Sequence, residues 1–178
     1  WLDLTRRIYP TPLYVPPIRQ QLTKYFEQQG DGGSTHCAFY AVRDASGALV
    51  ARTTAHSNPA LDEKFGLPLQ LFGFTEFIDD PAAFTALIQG LHREASCAGR
   101  RALFGPCNLL PNAYGGVLTS GFDQRGVLDS VYNHAYYGHY YRQAGFRERF
   151  PSSTYICDSV QTGPDATAVF CFDDARIA

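Results

Sequence analysis

The pattern of hydrophobic and polar residues predicts three helices, over residues 16–30, 81–98 and 134–144. In the first two segments apolar residues recur at about every third or fourth position, as they do on the buried face of a helix, and the third is a short segment rich in aromatic residues. The second helix has the clearest start, because Asp79 or Asp80 is able to cap its first turn and a proline follows. A glycine ends each of these segments.

Short apolar runs between turn residues predict the strands. Residues 37–42 and 48–55 are expected to pair as a hairpin, because the Asp-Ala-Ser-Gly sequence between them has the composition of a turn. Strands are also predicted at Leu69–Ile78 and Arg101–Phe104, with a loop at 58–68 before them. A helix joins these two strands as a crossover, which predicts that they are parallel neighbours.

Both ends of the chain are expected to add strands to this sheet. Residues 1–9 are predicted to form a first strand or the entry to one, and residues 149–158 to contain the last core strand. The apolar run 168–172 is expected to add an edge strand or to begin a truncated region. We therefore predict one domain over residues 1–158 and a tail over residues 159–178.

The composition narrows the classes of function. Of the 178 residues, 45% are hydrophobic and 18% are charged, which is typical of a globular domain. The formal net charge of −2 does not favour nucleic acid as a partner. No apolar run approaches the roughly 20 residues that a membrane span needs, so we expect a cytoplasmic protein with no membrane partner.

The cysteines and histidines do not predict a metal site. The five cysteines are widely spaced and contain no Cys-x-x-Cys pair, so reduced thiols of a cytosolic protein are expected. His134 and His139 are five residues apart and do not share a helix face. Cys107 would need a neighbouring base to act as a nucleophile, and the sequence implies none.

Motifs in the second half of the chain resemble those of a known superfamily. Residues 141–146 read Tyr-Arg-Gln-Ala-Gly-Phe, which resembles the late helix-to-strand signature of GNAT N-acetyltransferases. The chain also has Gly-Pro-Cys-Asn at 105–108, then Asn112, Gly-Phe-Asp at 121–123 and Tyr-Asn-His-Ala-Tyr-Tyr at 132–137. This ordered set is similar to a little-characterised group of bacterial GNAT-like proteins.

The resemblance extends over roughly residues 1–158 and implies a fold class. That class is α/β, with a GNAT-like mixed central sheet flanked by helices. Strands 69–78 and 101–104 would then splay apart at their C-terminal ends and form the ligand cleft. Fold alone does not fix the reaction, so the site residues have to carry the functional argument.

Acyl transfer to an amine requires a base for the amine proton and an acid for the leaving thiolate. The resemblance implies a Glu on the fourth strand as base, and Glu76 is the only carboxylate within 69–78. Its apolar neighbours would raise its pKa, unless it is a solvated residue near the strand end. Tyr141 matches the usual position of the acid, with a core tyrosine as the alternative.

Amide and tyrosine side chains of the motifs are candidates for substrate binding. Asn108 and Asn112 follow a buried strand, where they could orient a substrate carbonyl or hold the loop through its backbone. Asn133 could likewise contact a ligand, or its side chain could cap the following helix. Tyr132 and Tyr137 belong to the same motif and are included as substrate-binding candidates.

The turn at 76–81 departs from the superfamily pattern. GNAT enzymes usually hold the CoA pyrophosphate in a Gln/Arg-x-x-Gly-x-Gly/Ala loop, where amides at a helix N-terminus face the phosphates. Here the turn reads Glu-Phe-Ile-Asp-Asp-Pro, with no glycine and no basic residue. We therefore expect an acyl-CoA or acyl-carrier-protein donor that does not use this turn in the usual way, and no metal.

Three functions are consistent with these residues. The first is an enzyme that moves an acyl group from a thioester, on CoA or a carrier protein, to the amine of a small molecule. The second is an inactive GNAT-fold domain that binds a small amino-acid-like ligand, and the third is other chemistry on the same scaffold. Expected partners are the amine substrate, a carrier protein and a second copy in a homodimer.

Overall fold

The computed structural model describes residues 2–20, 22–23, 27, 37–108 and 115–153. The chain divides into two compact units, Trp1–Arg147 and Glu148–Ala178. The helices and strands that are described from end to end lie in the first unit: α1 (Leu4–Ile8), β1 (Cys37–Arg43), β2 (Leu49–His56), α2 (Pro59–Phe65), β3 (Leu69–Phe77), α3 (Pro81–Cys97), β4 (Ala102–Phe104) and α4 (Tyr136–Gln143). None of these helices is long and apolar enough to cross a membrane.

The four strands form one mixed sheet in the order β1-β2-β3-β4. The pairs β1–β2 and β2–β3 are antiparallel, and the pair β3–β4 is parallel. The predicted hairpin and the predicted parallel pair are both confirmed. With helices flanking this sheet, the α/β fold class is confirmed as well.

The parallel pairing of β3 with β4 is short. It begins at Leu69 and ends where Leu71 is opposite Phe104, while β3 continues to Phe77. Residues 105–108 then run beside β3, and the Cys107 amide donates to the Phe72 carbonyl at 2.7 Å. Gly73 permits this approach, because a Cβ there would lie 2.1 Å from the Cys107 carbonyl oxygen. Beyond this point the C-terminal part of β3 borders a pocket.

The core lies between the sheet, α3 and α4. The apolar stripe of α3 packs against Phe72 and Phe77 of β3, and tyrosines of α4 complete the cluster. Asp80 caps α3 by accepting from the Ala82 amide at 2.8 Å, and the following proline occupies its first turn. The helix expected at 81–98 is therefore confirmed, with its predicted cap.

Two predictions for the first 70 residues are wrong. Residues 4–8 are helical rather than extended, because Leu4 and Ile8 are one turn apart and both are buried. The expected loop at 58–68 contains α2, which Asn58 caps by accepting from the amides of residues 60 and 61. Gly66 ends α2 in the left-handed region at φ 61°, so both ends of the helix have standard signals.

Other predictions extend beyond the described residues. In the helix expected at 16–30, residues 19–20, 22–23 and 27 are helical. In the second unit, residues 148–153 are described and have no helix or strand. The rest of the strand predicted at 149–158, the domain boundary at residue 158 and the edge strand at 168–172 lie outside the described residues.

Candidate functional site

A pocket with a cavity volume of about 100 Å³ lies beside the C-terminal half of β3. Four parts of the chain line it: the N-terminal segment, the paired strands β2 and β3, the loop after β4, and the segment that leads into α4. The residues that matter for its chemistry are Tyr14, Arg52, Glu76, Asn108, Tyr132 and Tyr137. Five of the seven site residues predicted from the sequence line this pocket: Glu76, Asn108, Tyr132, Asn133 and Tyr137.

Glu76 is held by two tyrosine hydroxyls and faces a buried cation. Its Oε2 accepts hydrogen bonds from the hydroxyls of Tyr9 at 2.5 Å and Tyr137 at 3.0 Å. Its Oε1 is 3.9 Å from Nη2 of Arg52. The side chain of Glu76 is 15% exposed and that of Arg52 is 4% exposed, so water screens this ion pair poorly.

The environment of Glu76 suits a general base. Burial raises the pKa of Glu76, while the charge of Arg52 and the two tyrosine hydroxyls oppose that shift. A carboxylate whose pKa is raised toward the working pH is a stronger proton acceptor than an ordinary surface carboxylate. The alternative of a solvated residue near the strand end is therefore wrong.

Arg52 and Tyr9 were not among the residues predicted for the site. Arg52 is directly opposite Glu76 in the register of β2 and β3, so the two form a cross-strand ion pair. The sequence did contain one signal for Arg52, because an arginine within a strand of mostly apolar residues requires a buried partner of opposite charge. Tyr9 follows α1, and nothing in its sequence neighbourhood connects it with a carboxylate 67 residues away.

Tyr141 lies in the core rather than in the pocket. Its ring packs against Phe72, Phe84 and Phe146, and the residue is 5% exposed. Its buried hydroxyl has no hydrogen-bond partner of good geometry among the described residues. Burial raises the pKa of Tyr141 far above its ordinary value. Tyr137, one helical turn earlier, lines the pocket instead.

The asparagines of the motif anchor loops at the edge of the pocket. Asn108 Oδ1 accepts from the amide of Phe74 at 2.8 Å. Asn133 Oδ1 accepts from the amide of Leu118 at 2.7 Å, and its Nδ2 donates to the carbonyls of Leu118 and His134. Asn133 does not cap α4, whose cap position is residue 135. Asn112 lies outside the described residues.

The turn before α3 does not fit a pyrophosphate. Asp80 already occupies the first free amide of the helix, and Asp79 Oδ1 accepts from the hydroxyl of Tyr140 at 3.0 Å. Pro81 removes a further donor. Two carboxylates at a helix N-terminus take the place that a phosphate would need.

Neither a metal-binding group nor an activated thiol at Cys107 is present in the described part of the chain. No group of three or more His, Cys, Asp or Glu side chains there could hold a metal ion. Burial raises the pKa of Cys107, which keeps its thiol protonated and disfavours it as a nucleophile.

The fold and the site define an α/β domain with a small pocket built around a buried Arg–Glu pair. The chain is 27% identical over 143 residues to Protein YghO of Escherichia coli (strain K12). That match covers 79% of this chain and 36% of YghO, so the chain spans about a third of the length of this relative. No family model and no solved structure matches the sequence.

Proposed function

We propose that this domain is a GNAT-type acyltransferase that moves an acyl group from a thioester to the amine of a small molecule. One observation carries the proposal: Glu76 lines a small pocket as a buried carboxylate, fixed by two tyrosine hydroxyls and paired with Arg52. The α/β fold class, with a mixed sheet flanked by helices, and the sequence motifs support the same superfamily. The cytoplasmic location, the carrier-protein donor and the homodimer stay predictions.

Glu76 takes the role of general base in this mechanism. Because Oε2 already accepts two hydrogen bonds, Oε1 is the atom that accepts the proton from the amine. The amine nitrogen forms a bond to the thioester carbonyl carbon, and the carbon–sulfur bond then breaks to release a thiolate. Arg52 provides positive charge for the oxyanion that develops on the carbonyl oxygen.

Tyr137 is the hydroxyl best placed to protonate the thiolate. It lines the pocket, and its hydroxyl donates to Glu76 Oε2 at 3.0 Å. When the thiolate takes the Tyr137 proton, the carboxyl group of Glu76 rotates to bring its proton from the Oε1 side to the Tyr137 oxygen, which restores the neutral tyrosine. The amine proton therefore ends on the released thiol, and both side chains return to their starting forms. Tyr9 is buried and does not line the pocket, so its role is to position Glu76 through their hydrogen bond.

A pair of tyrosine variants distinguishes the pocket from the core. We expect Tyr137→Phe to lower turnover by roughly 100-fold, the lower end of the usual contribution of a general acid, because it removes the hydroxyl that protonates the thiolate. Tyr141→Phe removes a hydroxyl that lies outside the pocket, and we expect its turnover to stay within about threefold of wild type. Steady-state rates of thiol release measure both. A larger loss in Tyr141→Phe would return the acid role to Tyr141.

The opposite charges of Arg52 and Glu76 favour a second function, the binding of a ligand without catalysis. Arg52 and Glu76 together offer partners for a carboxylate and an ammonium group, which suits an inactive domain that binds an amino-acid-like ligand. Thiol release with a panel of primary amines and amino acids separates the two functions. An acyltransferase releases thiol in an amine-dependent manner, whereas a binding domain shows calorimetric binding of an amino acid without thiol release.

Free acetyl-CoA is expected to bind more weakly than micromolar. The carboxylates of Asp79 and Asp80 repel a pyrophosphate at the start of α3, by about 0.3–1 kcal/mol for each exposed charge. The double variant Asp79→Asn/Asp80→Asn keeps a capping side chain and should tighten binding by about 3- to 30-fold. Asp123→Asn, an exposed carboxylate elsewhere, is the control. Micromolar binding by the wild type, with the pyrophosphate at this turn, would contradict the expectation.

A further inference from the structure

Three exposed apolar side chains belong to the segments that line the pocket. The described residues include five large hydrophobic side chains that are exposed, and three of them are Ile18 (43%), Val127 (62%) and Leu128 (47%). These three are on the two segments that also supply Val15, Pro17 and residues 129–132 to the pocket lining. We name these three side chains the apolar rim.

The rim residues Val127 and Leu128 belong to a hydrogen-bonded turn. The Ser130 hydroxyl donates to the Val127 carbonyl at 2.6 Å and accepts from the Val127 amide at 3.0 Å, and the Ser130 amide donates to the same carbonyl. Asp129 adopts a left-handed conformation at φ 61°. Residues at the tip of such a turn are usually polar, so two exposed apolar side chains there point to a contact with an apolar group.

The turn is hydrogen-bonded to the N-terminal segment, which also lines the pocket. The Gly126 amide donates to the Leu13 carbonyl at 2.9 Å, which joins the turn to the N-terminal segment that carries Tyr14 and Ile18. The apolar rim therefore adjoins the pocket that contains Glu76 instead of lying on a remote surface.

The pocket is too small to hold a whole donor. Its volume of about 100 Å³ is below the 150 Å³ or so of an engineered cavity that binds benzene. It has room for the reacting groups, and the remainder of the donor has to lie across the mouth. The turn before α3 does not fit a pyrophosphate, so affinity for the donor has to come from another part of it.

We propose that the apolar rim binds the acyl chain of the donor, and that the donor is a thioester of a fatty acyl chain rather than of an acetyl group. The proposal rests on the proposed function, because it assigns the donor class of the same site. A saturated chain is the part of such a thioester that matches three exposed aliphatic side chains and carries no charge. Ile18, Val127 and Leu128 thereby act as specificity residues for chain length.

A series of acyl-pantetheine thioesters tests the proposal without interference from the CoA pyrophosphate. Binding of the acetyl, butanoyl, octanoyl and dodecanoyl compounds is measured by calorimetry, below their critical micelle concentrations. We expect the affinity to rise by about two- to fourfold for each methylene that the rim covers. In Val127→Ser/Leu128→Ser this rise should flatten, while binding of the acetyl compound stays unchanged.

Phe39→Ser is the matched control, because Phe39 is 42% exposed and does not line the pocket. The proposal is overturned if affinity is independent of chain length, or if the rim variant and the control behave alike. It is also overturned if the rim variant loses binding only to phosphatidylcholine vesicles, which would assign the rim to a membrane surface. Chain-dependent binding without transfer to any amine would support the rim and refute the acyltransferase.

Discussion

Glu76→Gln is expected to lower turnover by about 10²- to 10⁴-fold, the usual contribution of a general base. Glutamine keeps the shape of the side chain, and its carbonyl oxygen still accepts hydrogen bonds from Tyr9 and Tyr137, but it cannot take a proton. In the wild type, kcat/KM should fall as the pH drops through the raised pKa of Glu76, because the base is then protonated. The variant should lose this dependence.

The matched control for this variant is Glu94→Gln. Glu94 also accepts a hydrogen bond from a tyrosine, Tyr40, but it lies on α3 and does not line the pocket. We expect its turnover to stay at the wild-type value. Equal rates for Glu76→Gln and the wild type would remove Glu76 from the mechanism, and loss of folding in Glu76→Gln would make the residue structural.

Arg52→Met is expected to lower the free energy of unfolding by about 3–5 kcal/mol, because it leaves the carboxylate of Glu76 buried without its cation. The double variant Arg52→Met/Glu76→Gln should recover most of this loss, since both charges are then absent. Urea denaturation of the two single variants and the double variant measures the coupling.

A more exposed ion pair provides the comparison for Arg52. Arg100 pairs with Asp62, and their side chains are 17% and 22% exposed. Arg100→Met should therefore cost less than Arg52→Met, because more water solvates the carboxylate that is left behind. A loss below about 1 kcal/mol in Arg52→Met, or a double variant as unstable as the single one, would show that the buried pair does not stabilise the fold.

Local signals explain which elements the sequence could predict. The hairpin and α3 were predictable because their turn, cap and apolar stripe all lie within a few residues of each other. The signals of α2 were equally complete, with Asn58, a proline and Gly66, but α2 has no buried residues, so no buried apolar stripe marks it as a helix. The helix α1 depends on burial of Leu4 and Ile8 against the rest of the domain, which the sequence does not show.

The site was only partly predictable because it depends on contacts between distant segments. Glu76 was recognisable as a carboxylate in an apolar strand. Its partner Arg52 depends on the register between β2 and β3, which shifts between Arg52 and Thr54. Tyr137 and Tyr141 are on the same face of α4, so the sequence pattern could not decide which one reaches the pocket.

Acyl transfer in the pocket at Glu76 is the central claim about this protein. A crystal structure with an N-acyl amine, the reaction product, tests this claim most directly. We expect the amide nitrogen of the product to lie about 3 Å from Glu76, with its carbonyl oxygen toward Arg52. Binding of the product at any other surface, with the pocket at Glu76 free of it, would contradict the account.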